Sequence, residues 1–400
     1  MKNSNHTIEL SDSFVTAVME QRRVSGMPHA IYRYPARFSP EFAREAILSF
    51  TRAGEFVLDP FSGGGTTVAE AFALGRRAAG VDISALATFL SRAKTTPLSV
   101  HDVKRISNWA ERLPTGPDFE GIPNGESEPD ESSARHLNYE TRQFFRGLLR
   151  QIARLANTRQ EGFARLVLLA VGQAALDCKT EAPTLEELLY QFHHTLESAL
   201  VEFRTYWATA AEAHAAPPSQ LTRFRRILNR SSTGCDIDKR IPRHWLPAKL
   251  VLTSPPYPGV HVLYHRWQVL GRRETPAAFW LSNQRDGAGE SYYTFGSRQQ
   301  HGLTKYFAHL RSTFTSVRGL VDTRSLVVQL VGFSKPEWQL PLYLAKMKEA
   351  GFVEVMPQCD RSAIYRGRVW RNVPSRRWYA SMDPQTSSSR EVLLLHRPIS

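Results

Sequence analysis

The sequence predicts an α/β fold, a mostly parallel twisted sheet with a helical insertion. Three observations predict it. Short apolar runs such as Phe56-Val57-Leu58 and Leu250-Val251-Leu252 stop at polar or turn-forming residues, as buried strands do. The first of them leads through a glycine-rich turn into a helical pattern from Val68 to Leu74, the order of a βαβ unit. Between the two runs lies a block with helical spacing alone. Phe145, Leu148, Leu149, Ile152 and Leu155 fall at i, i+3, i+4, i+7 and i+10, and a second series runs from Leu185 to Trp207.

Composition narrows the function classes. The 400 residues hold 42% apolar side chains, enough for a sizeable core. Lysine and arginine number 51 against 38 acids, a net charge of +13 that suits a polyanionic partner. The three cysteines, Cys178, Cys235 and Cys359, are far apart and form no CxxC pair, so neither a zinc site nor a disulfide framework is expected. No secretory signal is read before residue 30 and no run of eighteen apolar residues occurs, so the expectation is a cytoplasmic, metal-free protein outside the membrane.

In chain order, residues 1–27 read as a polar leader with a short amphipathic piece around Phe14 to Met19. Residues 28–113 form the first part of the α/β domain. A helix is expected from Pro40, whose missing N–H costs little at a helix start. The strand Glu55 to Leu58 ends at Asp59, and Gly63-Gly64-Gly65 lets the backbone approach a ligand closely. Asp59 would repel a phosphate, and no GK[ST] follows, so a nucleotide P-loop is excluded. A second strand, Ala78 to Val81, ends at Asp82, where an acid takes ribose hydroxyls. The offset of 19 residues from Gly63 to Asp82 fits that role. An NAD enzyme is the nearest rival, but its GxGxxG is incomplete here.

Residues 114–135 are rich in Pro, Gly, Ser and acids and read as a linker. Residues 136–218 form the helical insertion. Residues 219–400 resume the sheet, with Cys235 to Asp238 as the end of a third strand and Leu250 to Leu252 delivering Thr253-Ser254-Pro255-Pro256-Tyr257. Two prolines cannot continue a strand, so a polar side chain and an aromatic are held at its carboxyl end, where open α/β sheets bind ligands. Later strands are read at Leu326 to Val331, Phe352 to Val355 and Val392 to Leu395. His265 and Arg266, near a glycine-rich aromatic loop, and Arg361, Arg366, Arg368, Arg371, Arg376 and Arg377 are candidate nucleic-acid contacts. Residues 361–379 hold six arginines, interleaved aromatics and no acid.

Asp59 to Thr67 and Ser254 to Tyr257, supported by Tyr34-Pro35-Ala36-Arg37-Phe38 and Gly80-Val81-Asp82-Ile83-Ser84, resemble the S-adenosylmethionine-dependent amino-methyltransferases of DNA. The resemblance covers most of the chain outside residues 100 to 225. It implies a Rossmann-like methyltransferase domain whose last strand is an antiparallel edge. It also implies a cofactor site formed by Tyr34, Pro35, Phe38, Asp59, Pro60, Phe61, Gly63, Gly65, Thr66, Thr67, Asp82, Ile83 and Asp236. Ser254, Pro255, Pro256 and Tyr257 would be catalytic. Ser254 and the Pro255 carbonyl would accept from the target amine, and Tyr257 would stack on a base flipped out of double-stranded DNA. Serine at the first motif position favours cytosine N4; N6-adenine is the alternative. An RNA or protein methyltransferase, or a non-catalytic nucleic-acid binder, are the other classes. None of the cysteines follows a proline, which argues against carbon-5 methylation. A restriction endonuclease partner would be a separate protein.

Overall fold

The computed structural model describes residues 7–20, 22, 24–35, 37–113, 133–258, 266–271, 273–287, 290–295, 300–372 and 390–400. In chain order the elements begin with β1 (Thr7–Glu9), α1 (Asp12–Met19), α2 (Pro40–Phe50), β2 (Phe56–Asp59), α3 (Thr66–Ala73), β3 (Arg77–Asp82), α4 (Ala85–Lys94) and α5 (Val100–Ala110). Three long helices follow, α6 (Tyr139–Ile152), α7 (Thr158–Leu176) and α8 (Leu185–Ala213). The sheet returns with β4 (Arg225–Asn229) and β5 (Ala248–Thr253). After these come the small hairpin β6 (Trp267–Val269) and β7 (Arg273–Thr275), then α9 (Ala277–Leu281) and α10 (Gln300–Arg318). The chain continues with β8 (Leu326–Gly332), α11 (Pro336–Glu349), β9 (Phe352–Glu354), β10 (Met356–Gln358), β11 (Ile364–Tyr365), β12 (Arg368–Asn372) and β13 (Arg390–Pro398).

The main sheet runs β11-β12-β13-β8-β5-β2-β3-β4, with β9 also paired to β13. From β4 to β8 all pairs are parallel, and β13 is antiparallel to β8. Every residue of β8 is buried, and alternate residues of the sheet face two different cores. That explains why its strands read as continuous apolar runs. Phe56, Leu58, Val81 and Val327 face the side covered by α10 and α11, and Val57, Leu250, Leu252 and Val328 face the side covered by α1 and α2. The strand order reverses between β2 and β5, which leaves a crevice at their carboxyl ends.

Two strands differ from the sequence reading. Cys235 to Ile237 is a turn of 3-10 helix, and the third parallel strand is Arg225–Asn229. This strand lies at the sheet edge and pairs on one side only, so it carries arginines and lacks the apolar signature. The last strand, β13, is antiparallel as expected but is not the edge, because β12 pairs with its other side.

The N-terminal segment read as a leader is part of the fold. β1 pairs in parallel with β10, and Phe14 of α1 is fully buried against Phe42 and Phe50. Helices α6, α7 and α8 share one apolar core with α3, α4 and α5. Tyr206 donates to the Ala69 carbonyl at 3.0 Å and Trp207 to the Lys94 carbonyl at 3.1 Å, so α8 is clamped to the two helices that frame the crevice.

Asp102 ties α5 to α7. It completes a capping box with Ser99 and accepts from Asn157 at 2.9 Å and Gln160 at 2.7 Å. Burial opposes its ionisation, but these bonds outweigh that effect and hold the carboxyl well below its ordinary range. Its stabilising contribution is therefore present above the unfolded carboxylate range and is lost only as pH falls through the depressed folded value. Asp102→Ala is expected to cost about 2–3 kcal/mol, read from the denaturant midpoint at neutral pH.

Candidate active site

The crevice is an open cleft whose walls include four stretches: Tyr34, Pro35, Arg37 and Phe38; Asp59 to Gly64 with Thr66; Asp82 and Ile83; and Ser254 with Pro256. The glycine-rich turn is folded by its neighbours. Asp82 at the tip of β3 accepts from the Gly63 N–H and the Ser84 N–H, both at 2.8 Å. Lys94, buried on α4, donates to the Gly64 carbonyl at 2.9 Å. Gly64 permits a close approach, since a Cβ there would lie 2.7 Å from the Tyr34 Cβ. Gly65 has φ +81° at the N-cap of α3, a left-handed conformation suited to glycine.

The two acids differ in support but share a shift. Asp59 accepts from Thr253 Oγ1 at 2.6 Å and from the Phe61 N–H at 3.1 Å. Burial pushes its carboxyl up to about 6, against the pull of these bonds. Burial likewise pushes Asp82 up to about 6, against the Ser84 and Gly63 N–H groups. On the cationic side, Arg37 donates to the carbonyls of His29 and Tyr32, and burial, reinforced by Arg33, pushes it down to about 10. Among the described residues no acid pairs with Arg37. Ser62 has a buried hydroxyl without a partner among them, on the cleft wall. Unpaired cation, orphan hydroxyl and two reluctant carboxylates together suit a ligand bearing both an acid and cationic centres.

The catalytic-motif residues are divided between wall and support. Ser254 and Pro256 line the cleft, whereas Pro255 is buried and Tyr257 is half-buried beside Ser254, outside the lining. An edge of the Tyr257 ring rests on Gly332, where a Cβ would lie 2.7 Å away. Its hydroxyl donates to Glu391 at 2.6 Å. The Pro256 carbonyl accepts from Tyr306 at 2.6 Å.

Of the expected cofactor residues, Tyr34, Pro35, Phe38, Asp59, Pro60, Phe61, Gly63, Thr66, Asp82 and Ile83 line the cleft. Gly65 and Thr67 support it: Gly65 packs against Ser91, and Thr67 donates to the Leu252 carbonyl of β5 at 3.2 Å. Asp236 is a correction. It sits in the 3-10 turn against Gly319, just after α10, outside the lining. Ser231 and Ser232, just beyond β4, take that wall, and Ser232 donates to the Pro60 carbonyl. Arg37, Ser62, Ser231, Ser232, Tyr293 and Phe295 line the cleft and were not among the residues expected to hold the cofactor. The position of Ser62 inside the glycine-rich turn was the available signal for one of them.

The arginine stretch needs a second correction. Arg371 is 3% exposed and pairs with Glu391, so it cannot reach a nucleic acid. Arg368 pairs with Glu354 through two bonds of 2.7 Å, and Arg266 is held by Asp286 at 2.9 Å. Arg366 is exposed, over the ring of the exposed Tyr365. His265, Arg376, Arg377 and the side chain of Arg361 lie outside the described residues.

The family model described as DNA methylase, of the N6/N4 methyltransferase type, matches residues 2–88. Over that stretch the chain is similar to the N6/N4 DNA methylases. The match contains the aromatic segment, the glycine-rich turn and Asp82, stretches that line the cleft and suit S-adenosylmethionine as cofactor. The type II methyltransferase M.MvaI of Kocuria varians is 34% identical over 82 residues, 20% of this chain and 18% of its own length. M.MjaII of Methanocaldococcus jannaschii is 27% identical over 78 residues, 20% of this chain and 15% of its own length. The match thus spans less than a fifth of either curated relative. Among solved structures, TrmN from Thermus thermophilus aligns with a TM-score of 0.32 and 11% identity, over 90% of this chain and 49% of that one.

Because both aspartates are pushed up to about 6, a cationic ligand must draw protons off them at lower pH. Affinity for S-adenosylmethionine is therefore expected to be flat above about pH 7 and roughly three- to tenfold weaker near pH 5. S-adenosylhomocysteine, which lacks the sulfonium, should change less. Titration calorimetry across that range reads both, and equal curves for the two ligands would refute an electrostatic role for these acids.

Proposed function

We propose that the protein is a site-specific DNA methyltransferase acting on an exocyclic amine, with cytosine N4 as the preferred target. One observation carries the reading: Ser254 stands on the wall of the cofactor cleft, one residue beyond the Thr253 hydroxyl that binds Asp59. When bound, S-adenosylmethionine supplies a methyl carbon on a positively charged sulfur, which passes to an amine nitrogen as the S–C electron pair returns to sulfur.

The residues would divide the work as follows. Arg37 and Ser62 hold the carboxylate end of the cofactor, Asp59 and Asp82 face its cationic and hydroxyl groups, and Phe38 and Phe61 close the apolar walls. Ser254 accepts a hydrogen bond from the target amine, and the rigid prolines fix its height above the cleft. Little acid–base machinery is required, since the methyl is already activated. The base reaches the cleft by flipping, and Tyr257 stacks on it through the part of its ring not held by Gly332. The net charge of +13 supports a polyanionic substrate. The exposed platform of Tyr365, flanked by Arg366 and Arg390, is one surface suited to it. The curated relatives are named type II methyltransferases, and the proposal adds a separate restriction endonuclease as partner.

The test is incubation with labelled S-adenosylmethionine and unmethylated genomic DNA, then nucleoside digestion and mass spectrometry. N4-methylcytosine is the expected product, and Tyr257→Ala should lower its yield by at least about tenfold. N6-methyladenine would keep the chemistry and change the base. Label found in RNA or protein and absent from DNA would overturn the DNA reading.

A further inference from the structure

Behind the catalytic motif lies a buried chain of polar groups that runs across the molecule. Ser254 Oγ is 2.9 Å from the Leu330 carbonyl and 3.0 Å from the Tyr257 hydroxyl. Tyr257 donates to Glu391 Oε1 at 2.6 Å. The other carboxylate oxygen accepts from Arg371 Nε and Nη2, each at 2.7 Å. Arg371 Nη1 donates in turn to the Val18 carbonyl of α1 at 3.1 Å. Arg371 and Glu391 are 3% and 4% exposed.

We propose that Glu391, held by Arg371, sets the direction of this hydrogen-bond chain and so leaves both lone pairs of Ser254 free to accept from the substrate, favouring an amine over a carbonyl. The proposal rests on the methyltransferase reading above. The argument is a count of protons. A carboxylate paired with a guanidinium offers only acceptors. It therefore takes the single proton of Tyr257, whose oxygen is left to accept. Ser254 also has one proton, and its two polar neighbours among the described residues, the Leu330 carbonyl and the Tyr257 oxygen, are both acceptors. Its proton turns inward, to Leu330 whatever Tyr257 does, and because Tyr257 donates to Glu391 neither Ser254 lone pair is occupied from behind. An exocyclic amine meets them with an N–H, whereas the carbonyl of a thymine, uracil or guanine edge meets them lone pair to lone pair. Glu391 and Arg371 are positioning residues: neither lines the cleft.

Glu391→Gln tests this with little change in volume. The new carbonyl faces Arg371 and the new NH2 faces Tyr257, which must then donate toward Ser254. The variant is expected to lose at least tenfold in kcat while KM for DNA and the affinity for S-adenosylmethionine change less than twofold. Glu391→Asp, which keeps the charge, should recover part of the loss. Parental kcat in Glu391→Gln, or equal impairment in both variants, would overturn the proposal. A readout free of activity keeps the two readings apart. The carbon-13 resonance of the hydroxyl-bearing ring carbon of Tyr257, assigned with Tyr257→Phe, should shift at fixed pH in Glu391→Gln. An unshifted resonance refutes the chain even if the wild type methylates DNA. A shifted resonance supports it even if the wild type leaves DNA unmodified, in which case only the substrate reading fails.

Discussion

The bond from Thr253 to Asp59 joins the two strands between which the sheet changes direction. Strands β2 and β5 are neighbours in space but 194 residues apart in sequence at this bond. Asp59 opens the glycine-rich turn and Thr253 leads into Ser254 to Tyr257, so this bond extends the β2–β5 pairing to the point where the two cleft walls leave the sheet. Chain connectivity cannot do this, since the helices α3 to α8 intervene. The bond lies where both groups are buried, and there a missing partner is expensive. It also stabilises the ionised form of Asp59 against burial, and thereby moderates the shift of a group that a bound cation must find charged.

The buried Arg371–Glu391 pair is the second long-range constraint. Removing two charges from water is costly, and such a pair is seldom retained for stability alone. Here each charge has further partners. Arg371 satisfies the Val18 carbonyl near the end of α1, and Glu391 satisfies Tyr257. Gly332 provides the matching surface, because any side chain at that position would push the tyrosine ring off its seat. The pair thus fixes the position and orientation of the motif, which an apolar replacement of equal volume would leave undefined.

Much of the sheet was legible because parallel strands buried on both faces have no polar residues to disguise them. Phe56 to Leu58, Leu250 to Leu252 and Leu326 to Val331 are examples. The exception, Arg225–Asn229, is an edge strand whose arginines use their stems for packing and their heads for carbonyls and aromatic rings. Most of the cleft was legible from the turn around Gly63 and from Asp82, since such a turn is local in sequence. The serines after β4 and the aromatics Tyr293 and Phe295 were not, because they reach the cleft only through tertiary packing. The arginine stretch misled for the same reason. Composition counts charges, but Glu354 and Glu391, which neutralise Arg368 and Arg371, lie outside that stretch and are brought to it by strand pairing. The N-terminal segment was read as a leader because β1 is only three residues long and finds its partner at Met356.

That last pairing has a consequence for the order in which the molecule is completed. A ribosome delivers Asp59, the glycine-rich turn and Asp82 early, and the parallel pair β2–β3 can form with α3 between them. Ser254 emerges much later, and Tyr257 lacks Glu391 until β13 is made. By then α1 has waited through most of synthesis for Arg371 and β10. A growing chain would hold the cleft half-built, because one wall is supported by contacts between segments more than 300 residues apart in sequence, such as that of Arg371 with Val18.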